Sequence, residues 1–305
     1  MSQFETIDPT CQTCPSTPGI ETIIKARPRN IDGFTVARVL PAPNRRHVGP
    51  FLFFDHIGPV DIPPGKALDV RPHPHINLAT VTYLLEGEIE HRDSLGTAET
   101  IRPGAINWMT AGRGIVHSER TPQALRQAGS RLHGLQLWVA LPIDDEEVEP
   151  SFHHYAAQDL PLVELDGVRL RVLAGSAYGA ISPIETYSTV LFVEAHLSPG
   201  SSLTMPQAAE LGAYVIDGTV RCGEERASAG QLLVFAPGSA GVLHAEETTR
   251  IALIGGDPPD GPRHMWWNFV SSSAKRIEQA KQDWQNGRFA EVAGDDEFIP
   301  LPGDA

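Results

Sequence analysis

The sequence predicts an all-β protein with two barrels in one chain and a short helix near the C-terminus. Two observations predict this fold class: short apolar runs alternate with turn residues, and the second half of the chain repeats features of the first. The 305 residues include 28 glycines and 26 prolines, and 41% of the residues are hydrophobic. A chain of this length and composition can bury two hydrophobic cores, so we expect two domains.

Glycine and proline recur at short intervals, and the runs between them favour strands over helices. Many short strands separated by turns are typical of a β-barrel or a β-sandwich. The predicted strands cover residues 33–40, 79–85, 134–140, 168–173, 189–197, 232–235 and 251–254.

The two halves of the chain share features in the same order. Residues 83–87 (YLLEG) are matched by residues 214–218 (YVIDG), and each segment predicts a strand that enters an acidic-glycine turn. Downstream, the glycine turn at residues 102–104 is matched by residues 228–230. This ordered similarity indicates a duplicated barrel. Coincidence of common turn chemistry is the alternative.

An acidic run bounded by prolines, residues 141–150 (LPIDDEEVEP), separates the two halves. Such a run is typical of a solvated connection, so we place the domain boundary there. The predicted organisation is a disordered or extended leader (1–20), an N-terminal barrel with the candidate site (21–141), a linker (142–158), a C-terminal barrel (159–258), and a C-terminal helix and tail that pack back on the barrels (259–305).

One helix is predicted near the end of the chain. Serines at residues 271–273 can cap its first turn. Ile277, Ala280 and Trp284 recur at helical spacing, which gives the helix one apolar face. Gly287 can end it.

Charge and cysteine content narrow the class of function. There are 38 acidic and 24 basic side chains, a net charge of -14, so direct binding to nucleic acid is not expected. Three cysteines are too few for a disulfide framework, which fits a reducing compartment. Cys11 and Cys14 form a CxxC, but the leader offers no second pair to complete a zinc site. Neither a secretion signal nor a membrane-length apolar run is evident, so we expect a cytoplasmic protein.

The first candidate for chemistry is the pair His73 and His75. On a strand, residues two apart point to the same face with their Cα atoms roughly 6–7 Å apart, so both imidazoles can bind one ion. Pro74 points away and cannot donate to a sheet ladder, which suits the rim of a sheet. Alone the pair is weak evidence, because such pairs also arise by chance.

A second pair, His117 and Glu119, has the same spacing and follows a glycine-rich stretch, residues 110–114. On adjacent inward-facing strands the two pairs would supply three imidazoles and one carboxylate. This donor set suits a divalent first-row transition metal and leaves positions open for other ligands. Iron, zinc, nickel, copper and manganese all fit these donors. Spacing alone also leaves open that these are ordinary interior or surface histidines.

Several segments resemble the pirin family. In chain order they are residues 49–59 (GPFLFFDHIGP), 71–75 (RPHPH), 80–87 (TVTYLLEG), 108–119 (WMTAGRGIVHSE), 135–142 (LQLWVALP), 255–258 (GGDP) and 266–270 (WWNFV). The resemblance spans most of the chain after about residue 20. It implies two cupin (jelly-roll) β-barrels, of which the N-terminal one binds a single iron(II) ion through His73, His75, His117 and Glu119.

The sequence departs from the family pattern at Ala79, where pirins commonly carry glutamate, so the carboxylate must come from the second pair. In the C-terminal half, Thr204 and Pro206 stand where the first half has its histidine pair. His244 and Glu246 do echo the second pair, but one imidazole and one carboxylate would hold a metal poorly. One metal ion per chain is therefore expected.

Other histidines are weaker candidates. His56 lies beside Asp55 and close in sequence to the first pair, so it is a candidate for the pocket wall. A purely structural role is the alternative for His56. His153 and His154 follow the acidic run and are expected to be exposed.

The resemblance implies two alternative functions. The first is a dioxygenase for quercetin-type flavonols or related enol and catechol compounds, in which the metal binds a substrate oxygen, Glu119 takes the proton, and dioxygen attacks the activated ring. The second is an iron-dependent regulatory or redox-sensing protein that binds transcription factors or metabolic enzymes. Two barrels in one chain supply the pairing that single-barrel cupins obtain by dimerising, so a monomer is expected.

Overall fold

The computed structural model describes residues 19–31, 34–239 and 241–303. Most of the predicted leader, including Cys11 and Cys14, lies outside these residues. The described part of the chain is mostly β-structure with two α-helices, which confirms the predicted fold class.

The first half of the chain forms twelve strands and one short helix. They are β1 (Ile20–Lys25), β2 (Arg27–Ile31), β3 (Phe34–Leu40), β4 (Phe51–Ile62), β5 (Val70–His75), β6 (Leu78–Glu86), β7 (Ile89–Asp93), β8 (Ala98–Ile101), β9 (Ile106–Thr110), β10 (Ile115–Arg120), α1 (Gln123–Ala128), β11 (Ser130–Ala140) and β12 (Ser151–Tyr155). Two short 3-10 turns flank β12, at Ile143–Asp145 and Ala157–Asp159.

The second half forms a similar series and then the C-terminal helix. Its elements are β13 (Leu162–Leu165), β14 (Val168–Ala174), β15 (Ser176–Ala177), β16 (Ala180–Ile181), β17 (Val190–Leu197), β18 (Ser202–Thr204), β19 (Glu210–Asp217), β20 (Thr219–Cys222), β21 (Glu225–Ser228), β22 (Gln231–Phe235), β23 (Val242–Ala245), β24 (Thr249–Gly256), β25 (His264–Trp266), β26 (Phe269–Ser271) and α2 (Ala274–Gln285). The predicted strands correspond to β3, β6, β11, β14, β17, β22 and β24.

Each half forms a barrel from one large and one small antiparallel sheet. In the N-terminal barrel the strand orders are β12-β9-β6-β11-β4-β3-β2 and β5-β10-β7-β8. In the C-terminal barrel they are β1-β22-β19-β24-β17-β14-β13 and β18-β23-β20-β21. Equivalent strands occupy equivalent positions in the two barrels, which confirms the duplication that the sequence predicts.

The two barrels exchange an outer strand. β1, at the start of the described chain, pairs with β22 of the C-terminal barrel, and β12 pairs with β9 of the N-terminal barrel. The predicted boundaries place β1 in the N-terminal barrel and β12 in the linker, so the observed pairing differs from them at both strands. Alternation of side chains marks a strand but does not identify its partner, which is why these two pairings are invisible in the sequence.

The large sheets of the two barrels face each other, and their apolar side chains form one shared core. Phe51 meets Phe192 edge to face with ring centroids 6.2 Å apart, and Phe54 meets Tyr214 at 4.8 Å. All four side chains are fully buried. Buried aromatic pairs of this geometry contribute beyond the apolar area that they bury, so this contact joins the barrels firmly.

The interiors of the two barrels differ. Apolar side chains fill the C-terminal barrel as one continuous cluster. In the N-terminal barrel they fall into two separate clusters, one around Leu78 and Met109 and the other around Val36 and Ile101. Several buried histidines of this barrel belong to neither cluster.

The C-terminal segment contacts the N-terminal barrel. The backbone N–H of Ile299 donates to the carbonyl of Pro72 at 2.9 Å. Phe269 and Ile277 share a buried cluster with Ile76, the residue that follows β5. The end of the chain therefore lies beside the histidine-bearing strand.

Helix α2 confirms the predicted C-terminal helix. Ser273 is its N-cap, and the serine side chain accepts a hydrogen bond from the backbone N–H of Arg276. Ile277 and Ala280 are buried on its apolar face. Among the described residues, no helix is long and apolar enough to cross a membrane.

Phe192→Ala is expected to lower the free energy of unfolding by about 3–5 kcal/mol, because it leaves a cavity in the core shared by the barrels. Phe298→Ala is the matched control, since Phe298 is 60% exposed and its truncation should cost less than about 1 kcal/mol. Urea unfolding followed by circular dichroism measures both. Equal losses in the two variants would contradict the shared core.

Candidate metal centre

Three histidines converge on the inner face of the small N-terminal sheet. His73 and His75 are two residues apart on β5, so their side chains leave the same face of the strand. His117 lies on the neighbouring strand β10, directly opposite His73 in the ladder. One nitrogen from each imidazole lies within 4.8 Å of the nitrogens from the other two. All three residues are buried.

Hydrogen bonds behind His73 and His75 decide which ring nitrogen faces the centre. His73 Nδ1 donates to the carbonyl of Arg71 at 2.8 Å, and His75 Nδ1 donates to the carbonyl of Asn268 at 3.1 Å. A carbonyl oxygen only accepts, so Nδ1 carries the proton in both neutral rings. Each Nε2 therefore keeps a lone pair, which is the form in which histidine binds a metal.

His117 contacts another histidine instead of a carbonyl, and either ring can donate in this contact. Its Nδ1 lies 3.4 Å from Nδ1 of His91. Its Nε2 is buried and has no hydrogen-bond partner within the described part of the chain. A buried polar atom without a partner costs about 1–3 kcal/mol. A cation bound to this lone pair would offset that cost, so the site fits a metal ion.

Burial keeps the three rings uncharged. It lowers the pKa of His73 from 6.5 to about 4, and the hydrogen bond to Arg71 opposes this effect only in part. Burial also lowers the pKa values of His75 and His117 well below 6.5, and the neighbouring histidines add to the effect. At neutral pH three uncharged nitrogen donors therefore face one point, an arrangement that suits a divalent transition metal.

Glu119 lies in the same cavity but apart from the histidine group. The register between β10 and β5 shifts between His117 and Glu119. Glu119 Oε1 accepts a hydrogen bond from the hydroxyl of Thr82 at 3.4 Å, and the carboxylate is not part of the group whose ligand atoms lie within 4.8 Å of one another. Burial raises the pKa of Glu119, while His91 and Thr82 act against this. Its assignment as the fourth ligand stays a prediction.

A cavity of about 440 Å³ opens beside the three histidines. Its apolar walls combine aromatic side chains, among them Phe34 and Trp138, with aliphatic ones such as Val36 and Ile57. Arg38 and Asp55 add an ion pair to the same wall, with two hydrogen bonds of 2.5 and 2.8 Å between guanidinium and carboxylate. The guanidinium carbon lies 4.2 Å from the centre of the Phe53 ring, so the pair is fixed by stacking as well.

The C-terminal segment closes one side of this cavity. Trp267, Asn268 and Ile299 line it, although they lie 192, 193 and 224 residues after His75. Trp267 and Asn268 fall within residues 266–270, which carry part of the family resemblance. Their place in the cavity could not be predicted from the sequence, because a backbone carbonyl or an apolar contact carries no residue-specific signal. His91 was not predicted either, although a signal exists: His91 and Asp93 have the same i, i+2 spacing on a strand as the two candidate ligand pairs.

His56 lies at the contact between the barrels and does not line the cavity. Its Nδ1 is 2.8 Å from the Tyr214 hydroxyl, and its Nε2 is 2.7 Å from Nε2 of His133. Burial, with a smaller contribution from His133, lowers the pKa of His56 to about 3. The structural alternative is the one that these contacts support. His153 is exposed, whereas His154 is only partly so.

The equivalent position in the C-terminal barrel is apolar. Leu243 and Ala245 of β23 are buried in the interior cluster. His244 lies between them and points the other way, with its Nδ1 2.7 Å from the hydroxyl of Ser202. Glu246 forms an exposed ion pair. His244 and Glu246, which match His117 and Glu119 in sequence, therefore lie on the outside of this barrel.

Comparison with known proteins relates both barrels to one family. The profile described as Pirin matches residues 33–139, and the profile described as the Pirin C-terminal cupin domain matches residues 192–290. A pirin-like protein of Caulobacter vibrioides is 48% identical over 93% of this chain and 99% of its own.

Two solved structures of quercetin 2,3-dioxygenase from Acinetobacter baumannii have a similar fold. The first has a TM-score of 0.85 and 34% identity, and covers 93% of this chain and 96% of its own. The second has a TM-score of 0.84 and 28% identity, and covers 90% of this chain and 99% of its own. The similarity therefore extends over both barrels.

His117→Ala is expected to weaken binding of a divalent metal by more than about 100-fold, because it removes a candidate ligand. Removing only the hydrogen-bond partner of a ligand typically weakens metal binding by about 10–100-fold. His244→Ala is the matched control, because His244 lies on the equivalent strand of the other barrel but faces outward. Equilibrium dialysis followed by elemental analysis measures the bound metal. Equal metal contents in the two variants would contradict the assignment of the centre.

Without a bound metal, the protein is expected to lose stability as the pH falls from about 6.5 to about 4. The unfolded chain binds a proton at His73 near pH 6.5, whereas the folded chain binds it only near pH 4. The unfolded state therefore holds more protons in this window, and lowering the pH favours it. At about 1.4 kcal/mol per pH unit, His73 accounts for a loss of about 3 kcal/mol.

Urea unfolding of chelator-treated protein at several pH values measures this loss. His73→Gln should reduce the dependence on pH, because glutamine does not titrate, and His244→Ala should leave it unchanged. Identical pH dependence in His73→Gln and wild type would show that the ring is not buried in its neutral form.

Proposed function

The chain belongs to the pirin family, and we propose that it is a metal-dependent dioxygenase that acts on quercetin-type flavonols or related enol and catechol compounds. The observation that carries the proposal is the meeting of three uncharged Nε2 atoms at the wall of a cavity of about 440 Å³. That volume lies in the range of small-molecule sites. The similarity to solved structures of quercetin 2,3-dioxygenase supports the choice of substrate class.

In this proposal, His73, His75 and His117 hold one iron(II) ion per chain, and Glu119 is the fourth ligand. Zinc, nickel, copper and manganese suit the same donors. When bound, the metal supplies Lewis acidity that lowers the pKa of a coordinated hydroxyl, and iron adds redox chemistry that zinc lacks. Elemental analysis of protein purified without chelator identifies the ion.

Glu119 is suited to accept the proton that the substrate gives up. Burial raises its pKa, so its carboxylate is a stronger base than that of an exposed glutamate. The Thr82 hydroxyl lies 3.4 Å from Glu119 Oε1 and 2.9 Å from Gln136 Oε1, so its single proton is shared between these two acceptors. In the proposed step the substrate O–H bond breaks, the proton moves to a carboxylate oxygen of Glu119, and the electron pair stays on the substrate oxygen.

The cavity walls orient a flat aromatic substrate and keep water from it. Phe34 and Trp138 line the cavity with aromatic rings, which suit an aromatic ligand. Phe53 supports this wall, because its ring is stacked between Trp138, with centroids 4.0 Å apart, and the Arg38 guanidinium. The Arg38 guanidinium already satisfies the Asp55 carboxylate, so neither group is left as an unpaired charge in the wall. A planar ligand of two or three rings fits this combination better than a charged or strongly branched one.

A second function, iron-dependent regulation of protein partners, is favoured by one observation. The C-terminal segment both contacts the centre and reaches the surface. The carbonyl of Asn268 accepts the hydrogen bond from His75, and Asp295 and Glu297 of the same segment pair with Arg120 at the end of β10. A change at the centre can therefore be transmitted to a surface that a transcription factor or a metabolic enzyme would contact.

Glu119→Gln is expected to lower quercetin turnover by about 100-fold or more, because glutamine cannot accept the substrate proton. Glu246→Gln is the matched control, since Glu246 is the echo of Glu119 in the other barrel and forms an exposed ion pair. Iron-loaded protein is mixed with quercetin without oxygen, oxygen is then added, and loss of quercetin absorbance and of oxygen is recorded. Metal content is measured in parallel.

Wild-type turnover in Glu119→Gln would contradict the role as base. Loss of metal together with turnover would show that Glu119 acts first as a ligand. Absence of turnover in iron-loaded wild type would favour the regulatory alternative.

A further inference from the structure

Behind His117 lie two residues that the proposed reaction does not use. His91 and Asp93 belong to β7, the strand beside β10, and they are 4% and 1% exposed. His91 Nδ1 lies 3.4 Å from His117 Nδ1, and His91 Nε2 lies 3.0 Å from Asp93 Oδ2. A line of hydrogen bonds therefore runs from a buried carboxylate to a candidate metal ligand.

The carboxylate determines the direction of this line. Asp93 Oδ2 accepts, so His91 Nε2 carries a proton and donates. In the neutral ring Nδ1 of His91 is then an acceptor, and His117 Nδ1 must donate to it. His117 Nε2 is left with a lone pair, and this is the buried nitrogen for which the described residues provide no partner.

Asp93 and His91 are both held in place from other sides. Asp93 Oδ1 accepts from the backbone N–H groups of Leu95 at 2.9 Å and Thr97 at 3.0 Å, which leaves Oδ2 for His91. The His91 ring stacks on Phe152 with ring centroids 4.2 Å apart and an interplanar angle of 19°. Neither group can turn away without losing these contacts.

We propose that Asp93 and His91 are positioning residues that lock His117 in the tautomer with a free Nε2 and thereby set the affinity of the centre for a divalent metal. This deepens the proposed function and rests on its metal centre, although the tautomer itself depends on no reaction. Hydrogen-bond partners behind a metal-binding histidine fix its orientation and raise its basicity, and losing them typically weakens metal binding by about 10–100-fold.

Asp93→Asn tests the proposal, because it exchanges one carboxylate oxygen for an NH₂ group. The two backbone donors require the amide oxygen at the Oδ1 position, so the NH₂ group faces His91 Nε2. That nitrogen must then accept, and the His91 proton moves to Nδ1. His117 Nδ1 must accept in turn, which leaves the His117 proton on Nε2, the atom proposed to bind the metal.

Two measurements follow this change. ¹⁵N NMR of metal-free protein with labelled histidines is expected to show His117 protonated at Nδ1 in wild type and at Nε2 in Asp93→Asn. Calorimetric titration with Zn²⁺ is expected to show binding about 10–100-fold weaker in the variant. Asp69→Asn is the matched control, because Asp69 also accepts a backbone N–H in this barrel but pairs with Arg126. It should keep the wild-type tautomer and affinity.

An unchanged tautomer in Asp93→Asn, or a Zn²⁺ affinity equal to that of Asp69→Asn, would overturn the proposal. If Asp93→Asn does not fold, His91→Phe replaces it, since phenylalanine keeps a ring against Phe152 and removes both hydrogen bonds. Zn²⁺ binding about 10-fold weaker is then expected, and wild-type affinity would overturn the proposal. Failure of quercetin turnover would count against the proposed reaction alone and would leave these results intact.

Discussion

Three uncharged imidazoles buried in a β-barrel each need a hydrogen-bond acceptor behind Nδ1, and the arrangement around the centre depends on this need. Two carbonyls supply acceptors, that of Arg71 on the same strand and that of Asn268 in the C-terminal segment, and His91 on β7 is the third acceptor that we propose. An unpaired buried N–H would cost about 1–3 kcal/mol each time. With all three satisfied, the protons stay on the outside and three lone pairs face inward.

The buried histidines reduce the apolar core of the N-terminal barrel, as a comparison of the two barrels indicates. They share a strand order, yet the C-terminal interior is one apolar cluster, whereas the N-terminal apolar side chains are divided into two. Buried polar groups replace apolar contacts in the N-terminal barrel, so its own core is smaller than its size would allow. The shared core around Phe51 and Phe192 joins it to the fully apolar barrel. The second barrel thus stabilises the first through this shared core.

Local rules account for the parts of this structure that the sequence predicts. Alternation and turn residues mark the strands, and i, i+2 spacing puts His73 and His75 on one face. Partners distant in sequence follow no such rule. β1 joins the C-terminal sheet, and Asn268, 193 residues from His75, contributes a carbonyl that any residue type possesses. His91 lies between these two cases. Its i, i+2 spacing with Asp93 predicts which face of the strand it occupies, but spacing cannot show whether a histidine binds the metal or hydrogen-bonds to a histidine that does.

The centre is a property of the whole chain and not of one barrel. Asn268 and Ile299 close the cavity, and both belong to the C-terminal segment of the chain. They stay in place because the segment is tied to the linker, where Glu146 accepts hydrogen bonds from the backbone and the hydroxyl of Ser272 at 2.7 and 2.9 Å. In an isolated N-terminal barrel His75 Nδ1 would face water, which can donate as well as accept, and its tautomer would no longer be fixed. The C-terminal segment therefore fixes both one wall of the cavity and the position of the proton on His75.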